Sequence, residues 1–157
     1  MNLHEQRMCE LQADLFELSS SRFSCGSFLF ISRFMYSDLA KDLDNIDDPY
    51  NYISPNNMID IMRKKYPSLN EKGGNKYPEQ VLRWIGYIYR AYCIIKKQYS
   101  YKIYKLLKAD KLLSLYDSFH TFSIEYCIER LDEIIKEGKS SNDDDDYLIF
   151  KSIMTND

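Results

Sequence analysis

Glycine and proline are scarce in this chain, five and four in 157 residues. That excludes collagen-like repeats and leaves little chain for flexible linkers. The four cysteines, Cys9, Cys25, Cys93 and Cys127, lie far apart and supply no CxxC half-site for zinc. The first residues, MNLHEQRMCELQADLFEL, lack the basic start and apolar run of a secretory signal. No stretch approaches the roughly 18 apolar residues of a membrane span. These absences predict a cytosolic protein, not bound to membrane, whose thiols stay reduced and serve as small buried hydrophobes.

Catalytic signatures are missing as well. The glycine pair Gly73-Gly74 runs into Asn75-Lys76 without the spacing of a phosphate-binding loop. No HExxH, GxSxG or EF-hand pattern occurs. His4 and His120 are the only histidines, and neither has a second ligand at helical spacing. Helical RNases of the HEPN class place an arginine a short way before a histidine on one helix. Leu113, Ser114 and Leu115 occupy that range ahead of His120. The expectation is therefore no enzyme, no metal and no cofactor. An enzyme using His120 as a general base with Asp117 is the weakest rival reading. The alternative is a ring hydrogen-bonded to backbone at a helix junction.

What is present is globular: 45% hydrophobic and 29% charged residues, with fourteen tyrosines and eight phenylalanines. The length suits one domain with one core. Charge is arranged in blocks. Residues 1–60 carry four cations and ten acids, residues 61–111 thirteen cations and three acids, and residues 112–157 four cations and eleven acids. Blocks of this kind mark either an electrostatic partner surface or charges that neutralise one another inside one fold.

Apolar spacing predicts an all-α fold, a single compact domain of five to seven helices over 1–138, followed by an acidic tail over 139–157 with a short apolar end. A first helix runs from His4 to Leu18 and breaks at Ser19-Ser20-Ser21, and a second runs from Ser24 to Leu43. DNIDDPYNY reads as a loop turning at Asp48-Pro49. Ser54-Pro55 starts a helix that Pro67 ends. SLNEKGGNKY reads as an exposed loop, and Tyr77-Pro78-Glu79 opens the next helix. There Val81, Trp84, Ile85, Ile88, Tyr92 and Ile95 form the inner stripe, with Arg83, Tyr87, Arg90 and Lys97 on the opposite face. Shorter helices follow from Ser100 and over ADKLLSLYDSFH, then one through Ile124, Ile128, Leu131 and Ile135 with Gly138 as its stop. KSSNDDDD is an acidic linker, and YLIFKSIM is a final strand or helix that docks back, or a peptide that binds elsewhere.

The segment Val81–Lys108 holds seven cations, no acid, six tyrosines and the only tryptophan. Lysines and arginines can neutralise phosphates, and exposed tyrosines can stack on bases. Arg63, Lys64, Lys65, Arg83, Arg90, Lys96, Lys97, Lys102, Lys105 and Lys108 are the cations available for nucleic acid. The helices around Ser100 and His120 could form a helix-turn-helix, but the turn has no glycine and the second helix no polar reading face. A protein partner is the better reading. Arg83, Tyr87, Arg90, Lys97 and Lys105 are its candidate contact residues. A second set is Asp143, Asp144, Asp145, Asp146, Tyr147 and Phe150 in the tail. The residues carry no signature of oligomeric state.

The strings VLRWIGYIYRAY, SYKIYKLL, LYDSFHT and IERLDEI resemble an uncharacterised family of small helical proteins. Its members come from low-GC Gram-positive bacteria and their mobile elements. The matching positions are Trp84, Gly86, Tyr87, Tyr89, Arg90, Ser100, Ile103, Tyr104, Lys105, His120, Thr121, Ile128, Glu129 and Arg130. The likeness spans about residues 27–135 and is strongest from Val81 to Leu131. The chain departs from the pattern at AYCII, where a second aromatic usually follows Tyr-Arg, and in the segment after Gly138. Genes of that family neighbour ADP-ribosyltransferase-type toxins. The resemblance thus implies a non-catalytic, toxin-neutralising partner, an antitoxin. A phage-encoded inhibitor of a host defence nuclease, acting through an acidic surface, and a nucleic-acid-binding regulator using the basic centre are the alternatives.

Overall fold

The computed structural model describes residues 1–45 and 53–155, with residues 140–155 as helix backbone only. The Asp48-Pro49 turn lies outside them. Eight α-helices and one short 3-10 turn make up the described chain: α1 Leu3–Arg22, α2 Ser27–Met35, α3 Asp38–Asp44, α4 Pro55–Lys65, the turn Pro67–Asn70, α5 Glu79–Lys96, α6 Ser100–Leu106, α7 Ala109–Phe119 and α8 Ile124–Thr155. The only extended pairing among the described residues is a single bridge between Cys25 and Gly73. No described helix is long and apolar enough to cross a membrane. The fold is all-α.

Local chemistry sets most helix ends. Asn2 and Glu5 close α1 with a reciprocal capping box, both bonds at 2.8 Å. Ser54 Oγ accepts from Asn57 N at 3.2 Å, with Pro55 at the first helical position, as its sequence predicts. Pro67 stops α4 and begins the 3-10 turn. The triple serine does not break α1, which continues to Arg22. Ser19 Oγ donates to Phe16 O at 2.6 Å and Ser21 Oγ to Leu18 O at 3.3 Å, so these hydroxyls are satisfied within the helix. The helix expected over 24–43 is divided in two. Ser37 leaves the helical path, donates to Phe34 O at 2.6 Å and caps α3 through Ala40 N at 3.2 Å. Gly138 does not stop α8, whose backbone runs on to Thr155, so residues 139–155 continue a helix where a linker was expected.

The core is organised on the crossing of α1 and α5. Gly86 is the point of closest approach: a Cβ there would lie 2.7 Å from Gln12 O and 2.9 Å from Phe16 Cγ. Around the crossing Phe16 meets Phe30 and Phe34 edge-on at 5.5 and 5.4 Å. Helix α5 is covered on nearly every side. Val81, Leu82, Ile85, Ile88, Tyr89, Ala91, Tyr92 and Cys93 are all buried. Trp84, expected in the core, is half-buried at the rim against Tyr116, with centroids 5.6 Å apart.

Candidate protein-binding surface

The basic segment divides into cations that the fold consumes and cations that it leaves outside. Arg83, on α5, reaches back to α1 and pairs with Glu10, Asp14 and Glu17, the last at 3.1 Å. These three acids recur along one face of α1, so one guanidinium ties two helices together. The three carboxylates hold Arg83 firmly charged, the hydrogen bond to Asp14 being the largest cause. Lys96 pairs with Glu129 at 2.7 Å and Asp132 at 3.7 Å, tying α5 to α8. Tyr92 Oη donates to Asp132 at 2.9 Å. Bonds from Lys136 and Tyr92 hold the Asp132 carboxyl below its ordinary range.

Arg90 departs most from expectation. Helical spacing puts it on an exposed face, yet it is 0% exposed. Its Nε donates to Gln12 Oε1 at 2.9 Å, its Nη1 to Asp44 Oδ1 at 2.6 Å and its Nη2 to Ser100 Oγ at 3.0 Å. Asp44, itself 4% exposed, accepts from Ser100 N at 2.9 Å and Ser100 Oγ at 2.6 Å. Gln12 closes the network by donating to Gly86 O at 3.0 Å. Four helices, α1, α3, α5 and α6, thus share one buried, hydrogen-bonded ion pair. Arg90 is removed from the contact set because no part of it reaches the surface, and Arg83 already carries three internal carboxylates. Asp44 and Gln12 were not legible as its partners. The available signal was an arginine one helical turn after Gly86, on the closely approached side of α5.

Five lysines on and beside α6 are left outside: Lys102 and Lys105 lie within it, Lys97 caps α5, Lys108 precedes α7 and Lys111 belongs to α7. Lys97, Lys102, Lys105, Lys108 and Lys111 are exposed. None has a carboxylate within ion-pair distance among the described residues. Three of them lie over tyrosine rings instead: Lys102 on Tyr99, Lys105 on Tyr101 and Lys108 on Tyr104, each 5.5 Å from the centroid. Spacings of three or four residues bring each pair together on the helix surface. Tyr99 and Tyr101 stack with centroids 6.0 Å apart and planes 10° apart. Tyr99 is 55% and Leu106 44% exposed, so the face mixes charge with apolar area.

Both ends of α6 are fastened. Asp44 holds the Ser100 amide, and Tyr89 Oη donates to Leu107 O at 2.6 Å. Lys97 closes α5 in the left-handed conformation, φ 52°, at a position glycine usually fills. Beside it opens a depression of about 400 Å³ whose lining includes Leu43, Asp44, Lys97 and Tyr99. Lys97 and Lys105 of the expected contact set therefore share this surface, joined by Lys102 and Lys108. Tyr87 is half-buried on α5. Asp143, Asp144, Asp145, Asp146, Tyr147 and Phe150 belong to α8, and their side chains lie outside the described residues.

His120 Nδ1 lies 2.7 Å from Tyr116 O, and its ring stacks on Tyr116 at 4.4 Å. That is the backbone-bonded histidine at a helix end, with no bond to Asp117. All four cysteines are free and buried. Burial pushes Cys9 up to about 12 and Cys93 and Cys127 to about 11. The folded protein is accordingly expected to resist iodoacetamide at pH 8, with all four thiols alkylated once urea unfolds it. Mass spectrometry counts the adducts, and rapid native labelling at any of these three would contradict their burial. Among the described residues no group of three or more His, Cys, Asp or Glu could hold a metal ion. Compared with protein-family models, curated proteins and solved structures, the chain matches none of them.

Proposed function

We propose that this protein is a non-catalytic binding module that captures an acidic protein partner on the α6 face and neutralises it. The observation that carries the reading is the division of the basic segment. Arg83, Arg90 and Lys96 are neutralised within the fold, whereas five lysines between Lys97 and Lys111 have no carboxylate partner among the described residues. Cationic side chains interleaved with exposed aromatic and apolar groups suit a protein interface, where charge steers encounter and the aromatic groups supply contact area. The resemblance to a family encoded beside ADP-ribosyltransferase-type toxins makes a toxin the leading partner.

The second reading is nucleic acid, favoured by the Tyr99–Tyr101 stack beside the lysines. One experiment separates the two. Tagged protein is recovered from its native cells, and the lysate is split into nuclease-treated and untreated halves. A stoichiometric protein that survives nuclease, and whose affinity falls about 10–100-fold in Lys102→Glu/Lys105→Glu, is the expected result. The variant should keep the parent melting temperature, because neither lysine holds a carboxylate of the fold. Recovery of nucleic acid alone, lost as salt rises, would overturn the protein-partner reading.

A further inference from the structure

Among the described residues, Lys97 alone other than glycine has a positive φ, 52°. A side chain in that conformation costs stability, and glycine adopts it freely. The turn itself needs only backbone: Lys97 N and Gln98 N both donate to Cys93 O, the latter at 3.0 Å, and the chain then enters α6. The Lys97 ammonium has no carboxylate within ion-pair distance among the described residues. The fold therefore carries a strained lysine whose side chain it does not use.

That side chain borders the depression of about 400 Å³ beside α6. Leu43 and Ile94 give the depression an apolar side, and Tyr99, 55% exposed, forms a wall. Of its other charges, Asp44 is matched by Arg90, and Glu5 accepts from Asn2 N in the α1 capping box. Lys97 is the charge of that lining which no bond within the fold engages. Lys102 lies over the Tyr99 ring, so a second free ammonium adjoins the same wall. Carboxylates alone gain little at exposed lysines, whereas an apolar group seated in a pocket beside them supplies the anchor of an interface.

We propose that the depression receives a large apolar side chain from an acidic segment of the partner, and that Lys97 and Lys102 hold the carboxylates flanking it. Lys97 is thereby kept for recognition at a cost in stability. The inference rests on the reading of α6 as a docking face and names the element that docks there, an apolar residue set among acids.

The test titrates the full chain into a fluorescent synthetic peptide, a phenylalanine between pairs of glutamates, and reads anisotropy at low salt. The parent should bind it, and should bind the alanine-centred peptide about tenfold more weakly. Lys97→Gly should bind the phenylalanine peptide about threefold to fivefold more weakly and yet melt at a higher temperature than the parent. Lys97→Arg keeps both charge and strain and should match the parent in both readouts. A Lys97→Gly protein that binds as tightly as the parent, or melts no higher, overturns the assignment. So do phenylalanine and alanine peptides that bind alike, or a parent that binds neither. Lys102→Glu/Lys105→Glu measured alongside separates the two readings. A loss there with none in Lys97→Gly defeats this inference alone and leaves the α6 face as the docking surface.

Discussion

Replacing Arg90 with alanine is expected to destabilise the fold by about 3–5 kcal/mol, the largest effect of any single change outside the apolar core. The reason is what the substitution leaves behind. Asp44 would keep a buried carboxylate with Ser100 as its remaining hydrogen-bond partner, and Gln12 Oε1 would lose its donor. An unpaired buried charge costs far more than the intact pair contributes. For a domain of this size that loss lowers the melting temperature by about 6–20 °C. Arg90→Lys keeps the charge but cannot serve Gln12, Asp44 and Ser100 together from one planar fork, so it should fall between parent and alanine. Arg90→Met combined with Asp44→Leu removes both charges and should recover much of the loss. Urea unfolding of the parent, these three variants and the single Arg90→Met and Asp44→Leu changes measures the coupling. If alanine at position 90 cost less than 1 kcal/mol, the network would not be holding the four helices.

Gly86→Val is the second large effect. Even the first added carbon, a Cβ, falls 2.7 Å from a backbone oxygen of α1 and 2.9 Å from the Phe16 ring, so the two central helices must move apart. That movement also stretches the bond from Gln12 to Gly86 O and, through Gln12, disturbs Arg90. Alanine alone gains about 1 kcal/mol of helix propensity, and overpacking of a dense core costs about 1–3 kcal/mol. Gly86→Ala should therefore be mildly destabilising and valine severely so, with soluble yield as a first readout. Gly138→Ala is the matched control. It lies within α8, where nothing stands within 4 Å of the added carbon, so it should stabilise by up to about 1 kcal/mol. Circular dichroism melts of the parent and the three variants should place Gly138→Ala above the parent and both Gly86 variants below it.

The features that read correctly from sequence were those decided by neighbours a few residues away. Ser54-Pro55 and Pro67 bound α4 because capping and the missing proline amide are local effects. The serine run misled because a hydroxyl can end a helix or bond to a carbonyl one turn back, and sequence alone does not choose. Gly138 misled because glycine after a periodic stretch suits a stop, yet an exposed helix tolerates it. Arg90 misled for a different reason. Helical spacing assumes one dry and one wet face, and α5 is enclosed on almost all sides. What permits an arginine there is Asp44, 46 residues earlier in the chain. Charge blocks picked out the segment in which the fold leaves lysines without a carboxylate partner among the described residues. They could not separate Lys102 and Lys105 from Arg83, because that distinction depends on whether an acid of α1 lies opposite.

The two fastenings of α6 have a consequence for how such a protein changes over time. The residues that hold this helix, Asp44, Arg90, Ser100 and Tyr89, have buried side chains, while Lys102, Lys105 and Lys108 are exposed and lie over tyrosine rings. Recognition and folding are thus written in separate letters. Under the proposed function, substitutions at 102, 105 and 108 would re-aim the face at a different partner with little effect on stability, and these positions would drift in step with what they bind.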